Sequence, residues 1–208
     1  MDRSIYLEEK MIEGNKRTRK AIAKMKLNEN SVFIDGGAHR GEELAVLCEI
    51  GCEVHSFEVN PIHCENLEII YSGYEKVKIN HAALWVENTY IDVYEKATNK
   101  LSSMTTENSK RNIDKKKSIS VRAIDIAEYI SSLDKEVDVM KLDIEGGEYK
   151  VIKHLIETKI IDKIKVIYFE DHEEQMKTEK PKGKRWKAEK KQVLELMRPY
   201  KYKLKGWW

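Results

Sequence analysis

The chain has 208 residues, 41% hydrophobic and 36% charged, enough for one domain with a full core under a heavily charged surface. A formal net charge of +2 gives no whole-chain argument for nucleic acid. The basic runs KRTRK, KRNIDKKK and KTEKPKGKRWKAEKK are local and read as solvated faces.

Residues 2–26 space Ile5, Leu7, Met11, Ile12, Ala21, Ile22 and Met25 as one or two amphipathic helices interrupted near Gly14. VFIDG is strand-like, and EELAVLCEI is helix-like up to Gly51. EVHSFEV is a strand, and Pro61 opens the helix PIHCENLEIIY, which ends near Gly73. VKINHAAL reads as one strand and YIDVYE as a further, half-exposed one. Residues 96–118 are polar, lack periodicity and read as a loop of functional length. ISVRAIDIAEYISSL gives a short strand and a helix. VDVMKLDI is apolar at most positions, as expected in a parallel sheet covered on both faces. GGEYKVIKHLIET is a helix, IKVIYFE a buried strand, WKAEKKQVLELMRPY a helix and KYKLKGWW one last strand.

This alternation predicts a doubly wound, mostly parallel α/β sheet flanked by helices, with a shortened C-terminal edge. No linker divides it. We expect a helical segment over 1–28, a cofactor-binding core over 29–175 and a C-terminal helix and strand over 176–208. Cys48, Cys52 and Cys64 are odd in number and lack CxxC spacing, so they read as reduced thiols in a cytoplasmic-type compartment. MDRSIYLEEKM has no apolar signal region, and no run is long enough to span a bilayer.

In open α/β sheets the ligand lies beyond the carboxyl ends of the strands, at the switch point. The first strand ends at Asp35, so GGAHRG is the loop there. Gly37 and Gly41 permit positive φ and close backbone approach. The next strand ends at Glu58, where an acid accepts hydrogen bonds from a ribose diol. Ala38 breaks a dinucleotide Gly-x-Gly-x-x-Gly fingerprint. An acid before the glycines opposes a pyrophosphate but suits a sulfonium cofactor with a free amino group. The reading is S-adenosylmethionine rather than NAD.

With those residues in place, a resemblance becomes specific. FIDGGAHRGEE resembles the D-x-G-A-x-x-G motif of class I methyltransferases, and SFEVNP their second motif. HAAL, the Ser-containing LSSM, VRAIDIAEYI, VMKLDIEGGEYKVI and IYFEDHE resemble successive blocks of the FkbM-type methyltransferase family. The likeness covers roughly residues 31–175, and its most specific part is K-x-D-x-E-G-x-E. His39 replaces a commoner Asn, the proline after Glu58 falls late, and one C-terminal strand stands where a pair is usual.

The resemblance implies that Asp35, Gly36, Gly37, Ala38, His39 and Gly41 surround the methionine part of the cofactor. It implies Glu58 at the ribose, Ala82 beside the adenine, and Asp143 and Glu145 beside the transferable methyl. It also implies methylation of hydroxyls, often on sugars, glycans or polyketides.

Glu170 and His172 follow the fifth core strand, expected next to the strand ending at Asp143. An alcohol needs a base or a metal, which makes His172 a candidate base, with Asp143 and Glu145 orienting the acceptor. Asp143, Glu170 and His172 are candidate ligands for Mg²⁺ or Mn²⁺. A capped strand end is the plainer reading of Glu170 and His172. Lys141, inside an apolar strand, implies a buried carboxylate partner. Trp186, Trp207 and Trp208 read equally as packing or as sugar-stacking residues.

The function expected is O-methylation of a small-molecule, glycan or nucleotide-sugar acceptor. Two alternatives stand beside it: a nucleic-acid methyltransferase, which lacks an Asn/Asp-Pro-Pro-Tyr-type motif here, and a non-catalytic nucleoside-binding module. No membrane partner is expected, and the oligomeric state is left open.

Overall fold

The structure is a computed structural model and describes residues 16–96, 104–105, 113–171 and 182–207. In chain order the elements begin α1 (Lys16–Ala23), β1 (Val32–Gly36), α2 (Glu42–Ile50), β2 (Glu53–Glu58), α3 (Pro61–Tyr71), β3 (Val77–His81) and β4 (Ala83–Trp85). There follow β5 (Thr89–Lys96), β6 (Met104–Thr105), β7 (Ile113–Asp125), α4 (Ile126–Ser131), β8 (Val137–Leu142) and α5 (Glu148–Glu157). A 3₁₀ turn (Ile160–Lys163), β9 (Ile164–Phe169), α6 (Lys182–Met197), a second 3₁₀ turn (Arg198–Tyr200) and β10 (Leu204–Gly206) complete the chain.

The main sheet has six strands in the order β10-β9-β8-β1-β2-β3, and every pairing is parallel. Strand order runs outward both ways from the β1/β8 pair, which makes their carboxyl ends the switch point. All five residues of β1 are buried, as are five of six in β2 and in β8. The edge strands β3 and β10 bury far less. One face carries a core around Ile34, Met140, Leu142, Ile152 and Ile167. The other is built on Phe33, Leu44, Leu47, Val54 and Val139. Phe33 and Ile34 on β1, and Val139 and Met140 on β8, point to opposite faces, as the period of two requires.

Local chemistry sets the boundaries. Gly51 ends α2 in a left-handed conformation, φ 81, its N–H donating to Leu47 and Cys48 carbonyls. The Asn60 side chain accepts from the Ile62 and His63 N–H groups, and Pro61 starts α3. Asp125 caps α4 in the same way.

Two expectations are corrected. VKINHAAL is two strands, not one: the chain bends at Ala82, so β3 stays in the main sheet and β4 joins a second sheet. The Ala82 N–H donates to the carbonyls of Glu58 and Asn80, 3.1 and 2.8 Å away, and this pins the bend. The polar stretch 96–118 is not a continuous loop. Its end is the start of the 13-residue β7, which pairs antiparallel with β5 inside a four-stranded sheet, β4-β7-β5-β6. Strand formation there is fixed by the partner strand rather than by the hydrophobicity of IDKKKS, which carries no periodic signal. The serine segment Leu101–Ser103 and residues 106–112 lie outside the described residues. Among the described residues no helix is long and apolar enough to cross a membrane.

Candidate functional site

Asp35, the loop 36–41, Glu58, Ala82, Asp143, Glu145 and Glu170 all stand at the carboxyl edge of the main sheet, on or just past β1, β2, β3, β8 and β9. The strands that end before Asp143 and Glu170 are neighbours, with Leu142 opposite Phe169 and the Glu170 N–H donating to the Leu142 carbonyl at 3.0 Å. His172 lies outside the described residues, so its place beside them remains an expectation.

The glycine loop is built by backbone contacts. The N–H groups of Gly37 and Ala38 both donate to the Phe57 carbonyl, at 3.0 and 3.1 Å. Gly37 has φ 82, and the Asp143 carbonyl oxygen fills the place where its Cβ would go. Gly41, φ 80, is the N-cap of α2. Gly36 is the last residue of β1, and an added Cβ would meet the Lys141 carbonyl at 3.0 Å. Ala38 is fully buried, and His39 takes a left-handed φ of 50.

Glu58 closes the loop from β2. Its Oε2 accepts the His39 N–H at 2.6 Å, and its Oε1 accepts the Asn60 N–H at 2.7 Å. Burial raises its pKa, and those two N–H donors partly offset the rise. Each oxygen keeps a second lone pair for an incoming hydroxyl.

Beneath the loop lies an ion cluster. Lys141, only 3% exposed, places Nζ 3.2 Å from Asp35 Oδ1, 3.0 Å from the Gly37 carbonyl and 3.6 Å from Glu43 Oε2. The expected carboxylate partner of Lys141 is thus present twice. Burial works against its charge, but Asp35, Glu43 and Asp143 outweigh burial and raise its pKa. Burial pushes Glu43 up to about 7; Lys141 opposes this, while Asp35 and Glu42 add to it. Trp207 buries its ring 5.8 Å from the same ammonium and packs edge-on against Tyr168.

Asp35 Oδ2 and Ser56 Oγ are buried without a hydrogen-bond partner among the described residues, and their residues face each other across β1 and β2. Buried polar atoms left so are few in native proteins and invite a ligand or water. They fit a donor-bearing group, such as an ammonium, held over the end of β1.

On the β8 side, residues 143–147 form a tight turn in which Glu145 has φ 59 and Gly146 φ 117. Glu148, 1% exposed, clamps it: its carboxylate accepts the N–H groups of Ile144 and Gly146 at 3.0–3.2 Å. Trp85 lies against the turn, so a Cβ on Gly147 would come within 2.8 Å of the indole. Lys150 caps that ring at 4.3 Å.

Sequence reasoning missed Glu43 and Ser56, and it had Glu148 only as the last acid of K-x-D-x-E-G-x-E, without a role. Glu148 carries a signal in hindsight, an acid that follows two glycines and reaches back to their N–H groups. Glu43 and Ser56 carry none, because Glu43 meets Lys141 about a hundred positions away in the chain, and Ser56 meets Asp35 only through strand register. Among the described residues no group of three or more His, Cys, Asp or Glu side chains is arranged to hold a metal ion. The candidate set of Asp143, Glu170 and His172 depends on a residue outside them.

A parallel sheet with this switch point, glycine loop and strand-end acids defines a Rossmann-like α/β methyltransferase. The model of the Methyltransferase FkbM domain matches residues 35–204, and the chain belongs to that family. No curated protein and no solved structure matches it at a significant level.

Proposed function

We propose that this methyltransferase uses S-adenosylmethionine to methylate a hydroxyl of a carbohydrate, a nucleotide sugar or a related metabolite. One observation carries the cofactor reading: Asp35 and Glu58 end adjacent parallel strands with a left-handed glycine loop between them, and Asp35 keeps one buried oxygen unpaired. The cofactor supplies an electrophilic methyl group when bound. In this reading Asp35 Oδ2 accepts from the ammonium of the cofactor, and Glu58 from its ribose diol. Ala82, buried and small just after β3, is the residue we set beside the adenine.

Asp143 and Glu145, on the turn clamped by Glu148, orient the acceptor hydroxyl, with His172 as the proposed base. Holding that hydroxyl at about 3–3.5 Å from the methyl carbon is the main contribution such a site makes to rate. The acceptor class rests on the family likeness and on the polar character of this turn. Mass spectrometry of glycans, nucleotide sugars and RNA incubated with isotopically labelled cofactor tests the reading. A labelled methyl ether on a sugar supports it; label on RNA alone, or none on any acceptor, refutes it.

A further inference from the structure

We propose that Glu43 determines how strongly this pocket prefers the charged methyl donor to the uncharged product that transfer leaves behind. The inference rests on the adenosylmethionine reading above. Glu43 sits in the first turn of α2, immediately behind the glycine loop, and is 7% exposed. Its carboxylate and that of Asp35 both face the one ammonium of Lys141. Among the described residues no other cation lies within ion-pair distance of Glu43. With both acids ionised the buried cluster holds one negative charge too many, which is costly in a low-dielectric interior. The unpaired Asp35 Oδ2 and Ser56 Oγ are the atoms through which that surplus meets a ligand.

The donor carries an ammonium, a carboxylate and a sulfonium, and so one net positive charge near neutral pH. Transfer breaks the sulfur–methyl bond and leaves its electron pair on sulfur. The carbon–oxygen bond forms as the acceptor hydroxyl loses its proton. The thioether product keeps only the ammonium and the carboxylate and is neutral overall. The surplus carboxylate therefore balances the donor and not the product.

The groups that face Glu43 are Asp35 from β1, Lys141 from β8 and Glu42 on its own helix, with Asp143 acting on Lys141 from beyond β8. Tyr71 of α3 lies near Asp35 and Glu42 and stays neutral, its pKa raised by burial. The position of Glu43 near 7 means that its charge changes within the range where binding is measured.

The test is calorimetric titration of the full chain with S-adenosylmethionine and S-adenosylhomocysteine at about pH 6 and about pH 8, chosen to straddle that ionisation. The preference for the donor should grow about tenfold between them, within the usual span of coupling between charged sites. In Glu43→Gln it should be smaller and flat with pH. An unchanged preference in Glu43→Gln, or a preference in the parent chain that does not grow with pH, overturns the proposal. If Glu43→Gln fails to fold, the unaltered chain is titrated near pH 7 in two buffers of different ionisation enthalpy. Donor binding should then release a proton and product binding none; equal proton counts overturn the proposal. Failure of both ligands to bind overturns the cofactor reading itself, whereas equal binding of both refutes only the role of Glu43.

Discussion

The carbonyl oxygen of Asp143 occupies the space that a side chain on Gly37 would need. The end of β1 and the end of β8 can approach only because that residue is glycine, and the contact sets the floor of the crevice. Gly37→Ala should therefore fail twice. A left-handed backbone costs about 1–2 kcal/mol for a residue with a Cβ, and crowding against a fixed backbone adds about 1–3 kcal/mol. Urea denaturation should show the loss. A variant as stable as the parent would mean that the two strand ends can separate at no cost.

Much of this architecture was legible in the sequence, for a physical reason. Runs such as VFIDG and VDVMKLDI are apolar at nearly every position because central parallel strands are covered on both faces. Gly51, Pro61 and Asn60 then fix the helix ends. The second sheet was not legible, since β7 begins in the charged run IDKKKS and owes its form to β5. At the site, the strand-end acids could be read from position alone. The Lys141–Glu43 pairing needed the fold, because strand period does not say which helix turn lies over a given residue.

Lys141 is the only cation within ion-pair distance of Asp35 among the described residues, so its removal should be severe. Lys141→Met leaves a carboxylate buried without its partner, a change that typically costs about 3–5 kcal/mol. Adding Asp35→Asn should recover part of that loss, since one of the two carboxylates that face Lys141 is gone. A double-mutant cycle by chemical denaturation reads the coupling directly. Simple additivity of the two losses would contradict the pairing.

Glu43 also makes stability depend on pH. Its carboxyl rises from the ordinary 4.5 to about 7 in the folded chain, so the folded state holds the proton more tightly. The stability this contributes is present in full below about 4.5 and is lost as pH rises through about 7. The change is on the order of 1–3 kcal/mol. Melts between about pH 5 and about pH 8 should fall with pH for the parent chain, and Glu43→Gln should remove most of that slope. An identical slope in the variant would assign it to another group.

Glu58 holds two backbone N–H groups and still has lone pairs to offer. Glu58→Ala should weaken cofactor binding by about 1.5–3 kcal/mol, the scale of hydrogen bonds to a charged group. It should also loosen the loop, because the His39 and Asn60 N–H groups lose their acceptor. Calorimetry with S-adenosylmethionine separates the two effects from Glu58→Gln, which keeps an acceptor oxygen but not the charge. An unchanged dissociation constant in both variants would remove Glu58 from the ribose.

The turn after β8 puts the sharpest demand on the proposed chemistry. Asp143 and Glu145 are presented by a backbone with two consecutive positive φ angles, at Glu145 and Gly146. That conformation is held by three hydrogen bonds to Glu148 from the N–H groups of Ile144 and Gly146. If Asp143 orients the acceptor and His172 takes its proton, Asp143→Asn and His172→Ala should each lower kcat by about 10²–10⁴. Cofactor affinity should change little in either. Glu148→Ala should lower kcat as well, although Glu148 accepts from backbone N–H groups rather than facing the acceptor, because the turn loses its clamp. It should also lower stability by the cost of leaving buried N–H groups unsatisfied, about 1–3 kcal/mol each. Adding EDTA, then Mg²⁺ or Mn²⁺, to the parent enzyme separates a metal-assisted site from a histidine base. Loss and recovery of activity would assign Asp143 and its neighbours to a cation, whereas indifference to EDTA leaves His172 as the base. Full activity of both Asp143→Asn and His172→Ala on the true acceptor would show that proton removal happens elsewhere in the crevice.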